Sequence, residues 1–161
     1  MKTAIFPGSF DPLTKGHFST ARKASRIFDK VYVIVMTNTK KHYLFSADER
    51  VALAQTALAE LDNVEIIKAE AELTVNVARK LGASYLIRGL RNETDFNYEK
   101  AIASLNSKLD PEIETVLFFS NPGDSAISSS MVKEIAQFHG DIGLFVTPNV
   151  EEALRQKYEI K

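Results

Sequence analysis

Short apolar runs alternate with amphipathic segments from one end of the chain to the other. Five runs, Thr3–Phe6, Val31–Met36, Val64–Lys68, Tyr85–Arg88 and Thr115–Phe119, are rich in β-branched or apolar residues, bounded by turn residues and of strand length. Between them the spacing turns helical. Phe18, Ala21, Ser25 and Phe28 share one face, and Val51, Ala54, Leu58 and Leu61 share another, with Ser46 and Glu49 forming a capping box ahead of the second set. Leu73 to Leu81 reads as a further helix, and Met131, Val132, Ile135 and Phe138 mark one more. Lys80-Leu81-Gly82 and His139-Gly140 look like helix ends, a cation in the last turn with glycine beyond.

Strands that are each followed by a helix predict an α/β fold: a single doubly wound, Rossmann-like domain over residues 1–161 with a five-stranded parallel sheet, covered on both faces through right-handed crossovers. No linker or repeat marks a second domain. Ligands of such a sheet sit beyond the carboxyl ends of its strands, so the loops after Phe6, Met36, Arg88 and Phe119 are where chemistry is expected.

Composition narrows the function classes. The chain has 161 residues, 45% of them hydrophobic and 25% charged, which is ordinary globular composition. Its 20 Lys and Arg against 21 Asp and Glu argue against a nucleic-acid partner, which would call for a basic excess. The absence of cysteine removes disulfides, thiolate nucleophiles and Cys-ligated zinc. No stretch approaches the roughly 20 apolar residues that span a bilayer, and Met1 to Phe6 turn into Pro7-Gly8 too soon for a signal peptide. The expectation is a cytoplasmic protein with no membrane partner.

The segment from Phe6 to His17 joins the first strand to the first helix. It carries neither a Gly-x-Gly-x-x-Gly fingerprint nor Walker A spacing, since Gly16 is followed by His17. It does offer backbone amides, the Ser9 hydroxyl and His17 at a helix N-terminus, a combination that suits an anion. Read singly, Asp11 is a turn or cap residue and His17 a helix-start residue. Arg88 and Arg91 bracket Gly89-Leu90 at the end of the fourth strand. A guanidinium there either binds phosphate through its fork or pairs with Glu93 or Asp95. Lys40 and Lys41 lie on the loop after the second strand, where adjacent lysines are otherwise solvated charge. Ser128, Ser129 and Ser130 precede a helical pattern; one serine is explained as an N-cap, and three give a cradle of hydroxyls and amides for phosphate.

Taken together, Gly8-Ser9-Phe10-Asp11-Pro12 and Thr14-Lys15-Gly16-His17 resemble the signature of the nucleotidyltransferase superfamily, with Thr14 standing where the usual His-x-Gly-His has its first histidine. Glu49-Arg50-Val51, Ile87-Arg88-Gly89-Leu90-Arg91, Asp95-Phe96-Asn97-Tyr98-Glu99 and Ile127-Ser128-Ser129-Ser130 with Lys133 extend the likeness over nearly the whole chain. Within the superfamily it is most similar to the bacterial phosphopantetheine adenylyltransferase family. That resemblance implies transfer of the adenylyl group of ATP to 4′-phosphopantetheine, giving dephospho-coenzyme A and pyrophosphate, with Mg²⁺, feedback inhibition by coenzyme A and a homohexamer. It implies His17 as the transition-state stabiliser. The nucleotide would meet Ser9, Phe10, His17, Gly89, Leu90, Arg91, Glu99 and the loop Asp124, Ser125, Ala126, Ile127, Ser128, Ser129 and Ser130. The acceptor would meet Ser9, Lys41, Thr74 and Arg88. Thr74 reads equally as a solvent-facing helix residue, and Glu99 as a partner of Lys100 or Arg91. No side-chain cage for the metal is expected; the ion would ride on the ATP phosphates and water. Two other readings stay open: a different adenylyl- or cytidylyltransferase of the superfamily, and a non-catalytic nucleotide sensor.

Overall fold

In the computed structural model, which describes residues 1–159, strands and helices alternate as anticipated. The order is β1 (Thr3–Gly8), α1 (Lys15–Ser25), β2 (Lys30–Met36), α2 (Ala47–Ala57), β3 (Val64–Ala69), α3 (Thr74–Lys80), β4 (Tyr85–Leu90), α4 (Glu93–Leu109), β5 (Glu114–Phe119), α5 (Ser129–Gln137) and α6 (Pro148–Glu159). The five strands form one sheet in the order β3-β2-β1-β4-β5, every neighbouring pair parallel.

Strand alternation divides the core. Ala4, Phe6, Val31, Val33 and Val35 point to one face and pack against Ala21 and Ala24 of α1 and Ala54 of α2. Ile5, Ile34 and Leu86 point to the other and meet Val75 and Ala78 of α3. Residues buried on both faces explain why these strands read as continuous apolar runs. Each fully buried aliphatic side chain contributes about 1.5–3 kcal/mol, so the sheet is a rigid platform for the loops at its carboxyl edge.

Boundaries differ in places. α1 stops at Ser25, so Phe28 enters the core from the turn that follows, and α2 stops at Ala57, with Leu58 as C-cap and Leu61 beyond it. The Ser46–Glu49 capping box forms in both directions. Gly82 closes α3 at φ 64°, and His139, not Gly140, takes the left-handed position after α5 at φ 60°. Helix α6 has no counterpart in the sequence reading. Its buried stripe is only Val150 and Leu154, too narrow to stand out, and it packs with Val132 and Ile142 just upstream and with Phe45 and Ile127 farther off in sequence. That third cluster braces the loops after β2 and β5 beside the sheet edge.

Candidate active site

The connections from β1 and β4 leave toward opposite sides of the sheet, which opens a crevice at their carboxyl ends. Two cavities fill it. The first, of about 290 Å³, is lined by Ser9, Phe10, His17, Gly89, Leu90, Arg91, Glu99, Asp124, Ile127, Ser128 and Ser129 among others. Ser125, Ala126 and Ser130, expected around the nucleotide, lie outside it and are exposed. The second, of about 650 Å³, is lined by all four residues expected at the acceptor, Ser9, Lys41, Thr74 and Arg88. Pro7, Gly8, Ser9 and Arg88 belong to both and form the shared wall.

Local sequence explains how that wall is built. A Cβ on Gly8 would stand 3.0 Å from the Phe10 ring, closer than ordinary contact, so a side chain there would press the ring out of its place. Phe10 itself adopts φ 48°, a backbone region that bulky side chains rarely enter. The strained turn puts its buried ring edge-on to His17, 5.0 Å between centroids, and edge-on to Phe6 at 5.3 Å.

His17 lies in the first turn of α1 and is held by a reciprocal cap. The Thr14 N–H donates to His17 Nδ1 at 3.0 Å, and the His17 N–H donates to Thr14 Oγ1 at 3.3 Å. Because Nδ1 accepts, the neutral ring carries its proton on Nε2 and presents a donor. Burial lowers its pKa first, and the charges of Arg91 and Arg88 lower it further, to about 4. The ring is therefore neutral at physiological pH. An unfolded histidine titrates near 6.5, so the unfolded chain binds the extra proton between those values. The stability His17 contributes is complete above about pH 6.5 and is lost as pH falls through about 4. Over that window urea unfolding is expected to show wild type losing up to about 3 kcal/mol more than His17→Asn.

Arg88, rising from β4, is gripped by the Glu99 carboxylate of α4. Nε donates to Oε2 and Nη2 to Oε1, both at 2.8 Å, while Nη1 donates to Pro7 O at 3.0 Å. Three of its five N–H groups are thus engaged and two remain for a ligand. Neither Lys100 nor Arg91 pairs with Glu99; Arg91 is held instead by Asp95 at 3.0 Å and donates to Ile127 O at 3.3 Å. The serines divide their work. Ser128 is the N-cap of α5, Ser129 Oγ donates to Pro12 O at 2.8 Å, and Ser130 is exposed. The first turns of α1 and α5 both open on the first cavity; the Lys15, His17 and Met131 amides are taken by Phe145 O, Thr14 Oγ1 and Ser128 Oγ, which leaves those of Gly16, Ser129 and Ser130 as donors at the helix starts.

Asp11 is not a plain turn residue. Buried at 4% exposure, it accepts from the Leu44 and Phe45 amides and from Lys133 Nζ at 3.1 Å, tying the β1 loop to the segment after β2 and to α5. Thr37, Asn38, Tyr43 and Glu72 also line the second cavity. None had a sequence signal: they are ordinary polar residues on two separate loops, brought together only by the β2–β3 pairing.

A family profile for cytidylyltransferase-like proteins matches residues 5–135. The chain is 50% identical over 157 residues to a phosphopantetheine adenylyltransferase of Lactobacillus acidophilus, covering 98% of each chain. It is 52% identical over 157 residues to one of Lactobacillus johnsonii, covering 98% of this chain and 95% of that one. A solved structure from Vibrio parahaemolyticus, described as a nicotinate-nucleotide adenylyltransferase, superposes with a TM-score of 0.74 over 100% of this chain and 98% of that one. At 19% identity that likeness speaks for the Rossmann-like fold alone. With its cavities at the β1–β4 crevice and relatives at this identity over nearly its full length, the chain belongs to the phosphopantetheine adenylyltransferase family of the nucleotidyltransferase superfamily.

Proposed function

We propose that this chain transfers the adenylyl group of ATP to 4′-phosphopantetheine, forming dephospho-coenzyme A and pyrophosphate. The observation that carries the reading is the shared wall: two cavities meet at Pro7, Gly8, Ser9 and Arg88, so two ligands can be held face to face across one guanidinium. ATP belongs in the first cavity, beside His17, Arg91 and the first turns of α1 and α5. The acceptor belongs in the second, its phosphate toward Lys41 and Arg88, with Thr74 and Ser9 on the walls.

An anionic phosphate oxygen of the acceptor attacks the α-phosphorus in line. The bond between that phosphorus and the bridging oxygen to the β-phosphorus breaks, and its electron pair leaves with pyrophosphate. The nucleophile needs no deprotonation, so the protein supplies position and charge stabilisation. The Nε2–H of His17 donates to a non-bridging α-phosphate oxygen, Arg88 bridges acceptor and nucleotide, and the α5 amides with Ser128 and Ser129 receive the leaving group.

The first cavity presents Arg88 and Arg91 against the carboxylates of Asp95, Glu99 and Asp124. A bare triphosphate is a poor match for that balance, which supports Mg²⁺ arriving with the nucleotide. Among the described residues no three acidic or histidine side chains are grouped to hold an ion. Phosphate oxygens and water would therefore be its ligands, and it would supply charge neutralisation. Coenzyme A shares the acceptor's phosphopantetheine arm, so the second cavity supports feedback by competition. Helix α4 buries only Glu99 and exposes Tyr98, Leu105 and Leu109 along one face, which supports burial of that face between copies, as in the homohexamer. No helix among the described residues is long and apolar enough to cross a membrane; the cytoplasmic location is proposed from the family.

Pyrophosphate release is the direct test. It is expected only when ATP and 4′-phosphopantetheine are both present, with dephospho-coenzyme A formed in equal amount. ATP binding without release would favour a nucleotide sensor. Light scattering checks the oligomer: a monomer mass at working concentration would refute the hexamer.

A further inference from the structure

Among the described residues Arg50 of α2 is the largest fully buried side chain, 1% exposed. Among the described residues no carboxylate reaches it within ion-pair distance. A buried guanidinium is ordinarily matched by an acid, because desolvating an unpaired charge is costly. Here every partner is neutral. Nε donates to Phe45 O at 3.3 Å, Nη1 to Ser9 O and Met36 O at 2.9 Å each, and Nη2 to Thr37 Oγ1 at 3.3 Å. The Tyr43 ring covers the guanidinium with its centroid 4.0 Å from Cζ. Asp11, which accepts from the Phe45 N–H, is already paired with Lys133.

Ser9, Met36, Thr37 and Tyr43 all line the second cavity, whereas only Ser9 lines the first. One planar fork therefore joins the β1 loop, the end of β2 and the loop after it into a single wall, and does so on the acceptor's side. We propose that Arg50 is a positioning residue for the acceptor: it fixes the wall that receives the phosphate-bearing substrate and leaves a net positive charge behind that wall. The inference deepens the adenylyl-transfer reading and rests on it for the identity of the acceptor. It predicts a lopsided defect, since ATP meets little of this wall.

The test is steady-state formation of dephospho-coenzyme A, with ATP and 4′-phosphopantetheine varied separately, for wild type, Arg50→Lys and Arg50→Met. Lysine keeps the charge but, as a point donor, cannot span three carbonyls and a hydroxyl; methionine removes both charge and fork. The KM for 4′-phosphopantetheine is expected to rise about tenfold in Arg50→Lys and further in Arg50→Met, with the KM for ATP within about twofold of wild type in both. Circular dichroism identifies a variant that does not fold, and if Arg50→Met fails there, Arg50→Lys carries the test alone. A parallel rise in both KM values, or an unchanged acceptor KM, would overturn the proposal. A wild-type protein that forms no dephospho-coenzyme A would instead overturn the reading of the reaction. In that event calorimetry with inorganic phosphate and with ATP decides on Arg50: weakened phosphate binding with unchanged ATP binding supports the role, and any other pattern rejects it.

Discussion

His17→Ala is expected to lower kcat by about 10²–10³ while leaving the KM for ATP within about threefold of wild type. The asymmetry follows from when the contact matters. In the ground state the proposed site would offer the α-phosphate oxygens several donors besides the imidazole, Arg91 and the free helix amides among them, so removing one neutral donor would cost little binding. As the phosphorus is attacked, charge on its oxygens redistributes and a donor fixed in place gains strength without reorganising. The Thr14 cap holds Nε2 as that donor, and the Phe10 ring edge fixes the imidazole plane. Because the pKa lies near 4, the free enzyme's kcat/KM should cross pH 6.5 with no inflection from this residue. A phosphate in the cavity favours the protonated ring and moves the value upward, which NMR titration of the His17 ring with and without ATP would register. His17→Asn, a shorter neutral donor, should recover part of the lost kcat. Equal losses in kcat and in ATP affinity would mean that the ring serves binding alone.

The same residue shows what a sequence carries and what it withholds. The position of His17 at a helix start after a glycine-containing loop was legible, since turn chemistry and helical spacing are local. Its tautomer was not, because that depends on one hydrogen bond across the cap. The inner strands β1, β2 and β4 were legible for a related reason: apolar runs buried on both faces have little polar alternation to confuse them. Arg50 lay in plain view beside a capping box and gave no sign of being buried, because its partners come from residues 9, 36, 37 and 45. Glu99 was expected at the nucleotide by resemblance and lines the first cavity, but its partner was not legible. Lys100, the next residue, and Arg91, just ahead of α4, were the nearer choices in sequence, and the β4–α4 packing brought Arg88 to it instead.

That pairing makes Arg88→Ala the most damaging single change at the acceptor. Two losses coincide. The fork that spans both cavities disappears, taking charge-assisted contacts to phosphate, and kcat/KM for 4′-phosphopantetheine is expected to fall by about 10² or more. The Glu99 side chain, 8% exposed, is also left as an unpaired carboxylate beside two polyanions, at a cost of up to about 3 kcal/mol in stability. The second loss can be separated from the first. In Arg88→Ala/Glu99→Gln the stranded charge is gone, so urea unfolding should return most of the stability while the activity stays down. Glu99→Gln alone turns one acceptor oxygen into a donor facing Arg88, which must tilt the guanidinium; kcat/KM should fall by about tenfold with the arginine still present. Were the double variant to regain activity along with stability, Arg88 would be a packing residue and the bridge between the two cavities would have to be sought in the rest of the shared wall, at Ser9 and the Gly8 backbone. A double variant that is stable and inactive places the chemistry on the guanidinium itself and makes Glu99 its positioning residue.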